Sequence, residues 1–136
     1  MTYGPVGLSY PKPRELITKI IPIARTDSST AKCTLPRDAI IAGVYVIQTS
    51  NAVTGAGAYN LGWAGATTGI LNAFSLPTTS VGYAPSGTAT GAQVATKLTQ
   101  DQQIIGTYTV GTSTAGGVGY IKLEYFVPGP GEAIDD

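Results

Sequence analysis

The sequence predicts an all-β protein with one domain of about eight strands, arranged as a sandwich or barrel. Short runs of β-branched and aromatic residues recur along the chain, with clusters of glycine, proline, serine and threonine between them. Glycine, threonine and alanine are abundant while lysine, glutamate and leucine are sparse, which favours strands over helices. No amphipathic helix pattern of convincing length occurs, and 136 residues is the length of one domain.

The chain divides into three parts: an extended N-terminal arm (1–15), a β-sandwich domain (16–127) and an acidic C-terminal tail (128–136). Prolines and glycines in the arm favour extended backbone over helix. The arm carries apolar and basic side chains that we expect to contact a surface: Tyr3, Leu8, Tyr10, Lys12 and Arg14. That surface belongs either to the arm's own domain or to a neighbouring subunit.

The first three strands are expected at Leu16–Arg25, Thr30–Leu35 and the apolar run from Ala39 to Gln48. Pro22 removes a ladder donor, so the first strand is expected at a sheet edge or a bulge. Alternate residues of the third strand are apolar on both faces, which predicts that it is covered on both sides. Gly43 predicts a bulge or a close backbone approach within it.

The later strands follow loops of small residues. Tyr59, Leu61 and Trp63 alternate within 58–64, as in a half-buried strand. We expect a turn over 65–69, a strand or short helical turn over 70–76, and a long loop over 77–91 with at most a short strand near Tyr83. The remaining strands are predicted over 92–97, 102–110 and 118–127, the last with Tyr120, Lys122 and Glu124 facing outward.

The distribution of charge is uneven. No Asp, Glu, Lys or Arg occurs between Asp38 and Lys97, although the net charge of the whole chain is zero. Charge is depleted and aromatic residues are enriched at the cores of protein interfaces, so this window predicts a protein that works in an assembly. The balanced charge gives no support for nucleic-acid or anionic-membrane binding. The longest apolar run is far shorter than a membrane span.

The chain lacks the residues that most catalytic and metal sites need. It has no histidine, which excludes Ser-His-Asp and Cys-His nucleophiles and imidazole zinc ligands. Cys33, the one cysteine, is expected to pack as a small core residue. Asp27, Asp38 and Asp101 lie at predicted turns, where capping is the ordinary role. We therefore expect no enzyme activity, no metal and no cofactor.

The aromatic residues allow two interpretations. Tyr45, Tyr59, Trp63 and Tyr83 can form a platform that stacks on sugar rings, as in a carbohydrate-binding module of a phage fibre or surface appendage. Alternatively, they fill the core and a subunit contact. On the second interpretation Tyr59, Trp63 and Tyr83 join the residues of the arm as candidate assembly contacts.

Five short motifs carry a resemblance to a known family: Pro22-Ile23-Ala24, Leu35-Pro36-Arg37-Asp38-Ala39, Leu98-Thr99-Gln100-Asp101, Gly111-Thr112-Ser113-Thr114-Ala115-Gly116 and Ile121-Lys122-Leu123-Glu124-Tyr125. They resemble the small head decoration (cement) proteins of tailed bacteriophages over roughly residues 20–127. The resemblance implies a jelly-roll-like sandwich, made in the host cytoplasm, that binds the major capsid protein on the outside of the head. It also implies a homotrimer, capsid stabilisation and no catalytic residues.

Overall fold

The computed structural model describes residues 15–79, 82–84 and 97–128, with only the backbone described over 82–84. Most of the predicted arm, the predicted strand over 92–96 and the acidic tail beyond Pro128 lie outside these residues. The division into arm, sandwich and tail therefore remains a prediction. Within the described residues every regular element is a β-strand, which confirms the predicted all-β class.

Eight strands occur in the described residues: β1 (Ile17–Ile23), β2 (Thr30–Leu35), β3 (Ile40–Gln48), β4 (Gly57–Trp63), β5 (Ala66–Leu76), β6 (Gly82–Ala84), β7 (Gln102–Thr109) and β8 (Gly119–Phe126). The turn predicted over 65–69 is shorter than expected. Only Ala64 and Gly65 form it, because Gly65 adopts a φ of 90° and lets Trp63 pair directly with Ala66. The alternative of a helical turn over 70–76 was wrong, since this stretch belongs to β5.

The strands form two four-stranded antiparallel sheets, which pack as a β-sandwich. Sheet A has the order β1-β8-β3-β6 and sheet B the order β2-β7-β4-β5. The first four strands thus pair in turn with the last four, β1 with β8, β2 with β7, β3 with β6 and β4 with β5. This pairing is that of a long hairpin folded around a core.

The first strand occupies an edge of sheet A, as Pro22 predicted. Its inward residues Ile21 and Ile23 are buried, whereas Ile20 on the opposite face remains 58% exposed. The same alternation holds in β8, where Ile121 and Leu123 are buried. Sheet A therefore has one face in the core and one face outside it.

The bulge predicted near Gly43 is present, and it changes the face that each residue of β3 occupies. Ile41 pairs with Tyr125 and Gly43 with Glu124, so Ala42 is the extra residue. Because of this residue, Ile41 and Val44 point to the same side and both are fully buried. Residues 45 and 47 point outward and are only half-buried. The prediction that β3 is covered on both sides was therefore wrong: the sandwich covers one face.

The core between the sheets is apolar and continuous. Its largest fully buried side chains come from both sheets: Tyr59, Ile21, Leu35, Ile41, Leu61, Ile70, Leu71, Leu76, Ile104, Ile121, Leu123 and Val44. Cys33, Trp63 and Phe74 pack against this core from its margin. The predicted packing role of Cys33 is thus confirmed, and burial raises the pKa of its thiol above the usual value.

Two of the motifs quoted above lie side by side at one end of the sandwich. The amide of Asp38 donates to the carbonyl of Leu98 at 3.0 Å, and the amide of Leu98 donates to the carbonyl of Ala39 at 2.9 Å. Asp101 accepts the Arg37 amide proton at 2.7 Å through Oδ1. The turn role predicted for Asp101 is therefore confirmed, with a partner 64 positions away in the chain.

Candidate assembly surfaces

The sheet A outer face is the side of sheet A that points away from the core. Cross-strand pairing places its residues in rows across β1, β8 and β3: Thr18, Glu124 and Gly43; Ile20, Lys122 and Tyr45; Pro22, Tyr120 and Ile47. Two of its large side chains are well exposed, Ile20 at 58% and Tyr120 at 45%. Leu16, just before β1, is exposed as well. Exposed apolar side chains grouped on one face make that face a candidate interaction surface.

The centre of this face holds an aromatic ring and an ion pair. The ring of Tyr45 lies over Gly43, where a Cβ atom would approach the ring atoms to about 3 Å, so a larger residue there would require the Tyr45 side chain to shift. The Lys122 ammonium lies 5.4 Å from the centroid of that ring and 3.4 Å from the Glu124 carboxylate. The only charges in these three rows therefore form a pair, which leaves the surface nearly neutral.

The sheet B outer face has a different chemistry. It consists of small or uncharged side chains: Ala31, Thr34, Ala58, Asn60, Ser75, Gln103, Ile105, Thr107 and Thr109. Two of them already bond to nearby backbone. Asn60 accepts the amide proton of Ala73 at 2.6 Å, and the Thr107 hydroxyl accepts that of Ser29 at 3.0 Å. Apart from Ile105, this face offers little apolar area to a partner.

A polar cluster around Asp27 fixes the connection between the two sheets. The turn between β1 and β2 carries this residue into the interior, and its Oδ2 atom accepts from the Tyr59 hydroxyl at 2.6 Å. Lys32, the bulged residue of β2, places its ammonium 2.8 Å from Oδ2 and 2.9 Å from the Pro22 carbonyl. The Asp27 and Lys32 side chains are 4% and 8% exposed. They form a buried ion pair with additional hydrogen bonds.

Arg25 fixes the glycine-rich loop over 111–117 in a similar way. Its guanidinium donates to the Ser113 hydroxyl and carbonyl, each at 2.8 Å, and to the Gly116 carbonyl at 3.0 Å. It also lies 5.4 Å from the centroid of the Tyr108 ring. The loop is thereby held in one conformation, and beside it Val53 and Val110 are exposed. This loop end is a second, smaller apolar surface.

The structure divides the sequence-predicted contact residues into four groups, of which three remain candidates. Tyr3, Leu8, Tyr10, Lys12 and Arg14 lie outside the described residues. Tyr83 belongs to β6, where only the backbone is described and pairs with Ile47 of the sheet A outer face. Trp63 packs against the margin of the core and is half-buried. These positions remain candidates for assembly contacts.

Tyr59 requires a correction. Its side chain is 0% exposed, it lies between the sheets, and its hydroxyl is bonded to Asp27. Gly106 accommodates this hydroxyl, because a Cβ atom there would collide with it. Burial and the adjacent Asp27 carboxylate both raise the pKa of Tyr59 above its ordinary value, and burial is the larger cause. In the folded chain this tyrosine is part of the core and is inaccessible to a neighbour.

The aromatic platform considered from the sequence is not formed by its described members. Tyr45 lies on the sheet A outer face, Tyr59 lies in the core, and Trp63 packs at the core margin. Their rings therefore do not share one exposed surface. The outward residues that do share one are Ile20 and Tyr120. The sequence pattern had placed Tyr120 on an outer face without identifying it as a contact.

The described residues contain no group of three or more His, Cys, Asp or Glu side chains that could hold a metal ion. In the part of the chain that the structure describes, no helix is long and apolar enough to span a membrane. Several carboxylates of the described residues have structural partners. Asp27 and Asp101 bond to turn backbone, and Glu124 pairs with Lys122.

Comparisons with known proteins give one informative result. No protein-family model and no curated protein matches this chain. Among solved structures, a chain of the "Cyanophage Pam1 capsid asymmetric unit" has the same fold, with a TM-score of 0.65 and 18% sequence identity. The likeness covers 94% of this chain and 98% of that chain. It therefore extends over the whole architecture of both molecules.

Proposed function

We propose that this chain is a structural protein of a phage virion, and that it decorates the outside of the assembled head and stabilises it. The observation that carries the proposal is the likeness, over almost the whole of both chains, to a chain of a phage capsid. Fold alone does not determine function. The surfaces of this chain supply the second part of the argument.

An interaction role is supported by the sheet A outer face. Ile20 and Tyr120 are exposed on it, and the Lys122–Glu124 pair leaves it nearly neutral. A surface that is apolar, aromatic and poor in unpaired charge has the composition of an interface core. On this proposal the face, together with the arm that enters it at Leu16, contacts the major capsid protein and neighbouring copies of the chain, in a homotrimer.

The interior of the domain supports a role in stabilising the head that involves no catalysis. The carboxylates of Asp27 and Asp101 hold turns in place, and the Arg25 guanidinium holds the loop over 111–117. A preformed rigid domain loses little conformational entropy when it binds, so more of the contact energy remains to stabilise the shell. The carbohydrate-binding alternative has less support because its aromatic platform is not formed by Tyr45, Tyr59 and Trp63.

The test uses heads of the phage that encodes this chain. Expanded heads that lack the protein, obtained by deleting its gene, are mixed with the purified chain and sedimented. We expect the chain to cosediment at a fixed stoichiometry and to raise the temperature or force at which the heads rupture. Unexpanded shells serve as the matched control, because binding to expanded heads alone would show that the chain requires the mature capsid lattice.

Two results would contradict the proposal. The first is a chain that stays in the supernatant at micromolar concentration. The second is binding that leaves the rupture temperature and force of the heads unchanged. Surface location is tested separately by labelling intact virions with an antibody to the chain, which reaches an outer protein and not an internal one.

A further inference from the structure

The sheet A outer face lies next to a segment of the same chain whose chemistry matches it. Fourteen residues precede Glu15, and they continue directly into β1, the edge strand of this sheet. We propose that the N-terminal segment, residues 1–14, docks across the sheet A outer face of its own chain. The inference concerns the free protein and does not depend on capsid binding, so the two proposals fail separately.

The side chains of the segment complement those of the face. The segment contains Tyr3, Val6, Leu8 and Tyr10, which are apolar or aromatic, and no acidic residue. The face presents exposed Ile20 and Tyr120 along two adjacent rows. Burying apolar surface on both sides is favourable in rough proportion to the area removed from water.

The prolines favour docking on the face over pairing at the edge of the sheet. Pro5, Pro11 and Pro13 have no amide proton, so the segment cannot form a continuous ladder with the free edge of β1. An extended, proline-rich chain contacts a surface through its side chains and loses little further conformational entropy when it binds. These residues suit a segment that lies across outward side chains.

The length of the segment allows docking within one chain. Fourteen extended residues reach at most about 46 Å, whereas four strands at their usual spacing span about 15 Å. The segment can therefore cross the whole face of its own domain. Attachment also gives it a high effective concentration at that face relative to a segment from another copy. Covering Ile20 and Tyr120 in this way keeps the free chain from associating through them.

Cleavage by trypsin after Arg14 measures docking directly. Lys12 precedes a proline and resists trypsin, and mass spectrometry of the products distinguishes cleavage at the Arg14–Glu15 bond from cleavage at exposed residues of the domain such as Lys97. In the full chain we expect slow cleavage, at a rate set by the fraction of undocked segment. Ile20→Glu and Tyr120→Glu place a charge beneath the segment and should accelerate cleavage about tenfold.

Thr34→Glu is the matched control, since it adds the same charge to an exposed strand residue of the sheet B outer face. It should leave the cleavage rate unchanged. Circular dichroism and thermal melts identify the variants that fold, and either face variant suffices. Cleavage at the wild-type rate in a folded face variant would overturn the proposal, as would equal acceleration by Thr34→Glu. A rate that depends on protein concentration would also overturn it, because the segment would then be held by another copy.

Discussion

The outer faces of the two sheets differ in a way that the charge pattern of the sequence conceals. The window without charged residues contributes β3 and β6 to sheet A and β4 and β5 to sheet B. Sheet A nevertheless presents large apolar side chains outward, Ile20 and Tyr120 among them, with one ion pair between them. The strands of sheet B present mostly small, uncharged ones, and their one charged residue, Lys32, has its side chain buried.

This difference shows that an absence of charge has two distinct structural meanings here. In sheet A the charge-free strands β3 and β6 share the sheet with β1 and β8, whose outward side chains include the exposed Ile20 and Tyr120, and exposed apolar area favours contact with a partner. On sheet B the absence of charge accompanies small side chains, some of which already bond to nearby backbone, such as Asn60 to the Ala73 amide. A neutral surface of small side chains offers a partner little apolar area. Under the proposed function, the interaction therefore belongs to the sheet A side of the sandwich.

The largest effect is expected from removing Asp27, the buried carboxylate that joins the turn between β1 and β2 to Lys32 and Tyr59 of sheet B. Asp27→Ala leaves the Lys32 ammonium nearly buried with no carboxylate, and it also removes the acceptor of the Tyr59 hydroxyl. We expect the free energy of unfolding to fall by about 3–5 kcal/mol. Urea denaturation followed by tryptophan fluorescence measures this value.

Lys97→Ala is the control for that experiment. It breaks the pair between Lys97 and Asp38, which is 3.6 Å long with both side chains about half exposed. An exposed ion pair contributes little, so the free energy of unfolding should change by less than about 0.5 kcal/mol. Equal losses in the two variants would show that the cluster around Asp27 has no special role in joining the sheets.

The sequence was a good guide to strands and a poor guide to the faces of strands. Alternation in β8 predicted correctly that Ile121 and Leu123 point inward, because no bulge interrupts that strand. The same reasoning failed in β3, where Ala42 is an extra residue and reverses the alternation after it. Gly43 predicted that a bulge exists but not which side each later residue would occupy.

The candidate surface was harder to predict for a related reason. Tyr59 and Tyr120 both lie on alternating strands, yet one is fully buried and the other is 45% exposed. Alternation placed Tyr120 on an outward face correctly, but it did not reveal that Tyr59 lies in the core and donates a hydrogen bond to Asp27, 32 positions away. The spacing of residues along a strand does not reveal such a distant partner. Asp27 likewise has the sequence context of an ordinary turn residue.

A milder change, Tyr59→Phe, tests the inner side of sheet B while leaving both outer faces intact. It removes the hydroxyl that donates to the Asp27 carboxylate at 2.6 Å and retains the buried ring. A hydrogen bond to a charged group contributes about 1.5–3 kcal/mol, and we expect a loss of stability in that range. A loss below about 0.5 kcal/mol would show that Asp27 is satisfied by Lys32 and the Ala24 amide alone.

The same variant has a distinct dependence on pH. The pKa of Tyr59 is raised in the folded state, so the unfolded chain loses this proton first, at about pH 10. The resulting stability is fully present below that pH and is lost as the pH rises above it. The Tyr59→Phe variant should lack this contribution to the loss of folding stability at alkaline pH. Denaturation midpoints of both proteins between pH 8 and 11, as an approximate working range, measure the difference.

The smallest expected effect bears most directly on the comparison of the two faces. Tyr120→Glu adds a charge to the sheet A outer face, and Thr109→Glu adds the same charge to an exposed position of the sheet B outer face. If sheet A contacts the head, the first substitution should weaken binding to expanded heads about tenfold, or about 1.4 kcal/mol, because the new carboxylate is desolvated without a partner. The second should leave binding unchanged. Quantitative cosedimentation of both variants with expanded heads measures the difference. If Thr109→Glu alone weakened binding, the contact would belong to the sheet B outer face and the proposed interface would be wrong.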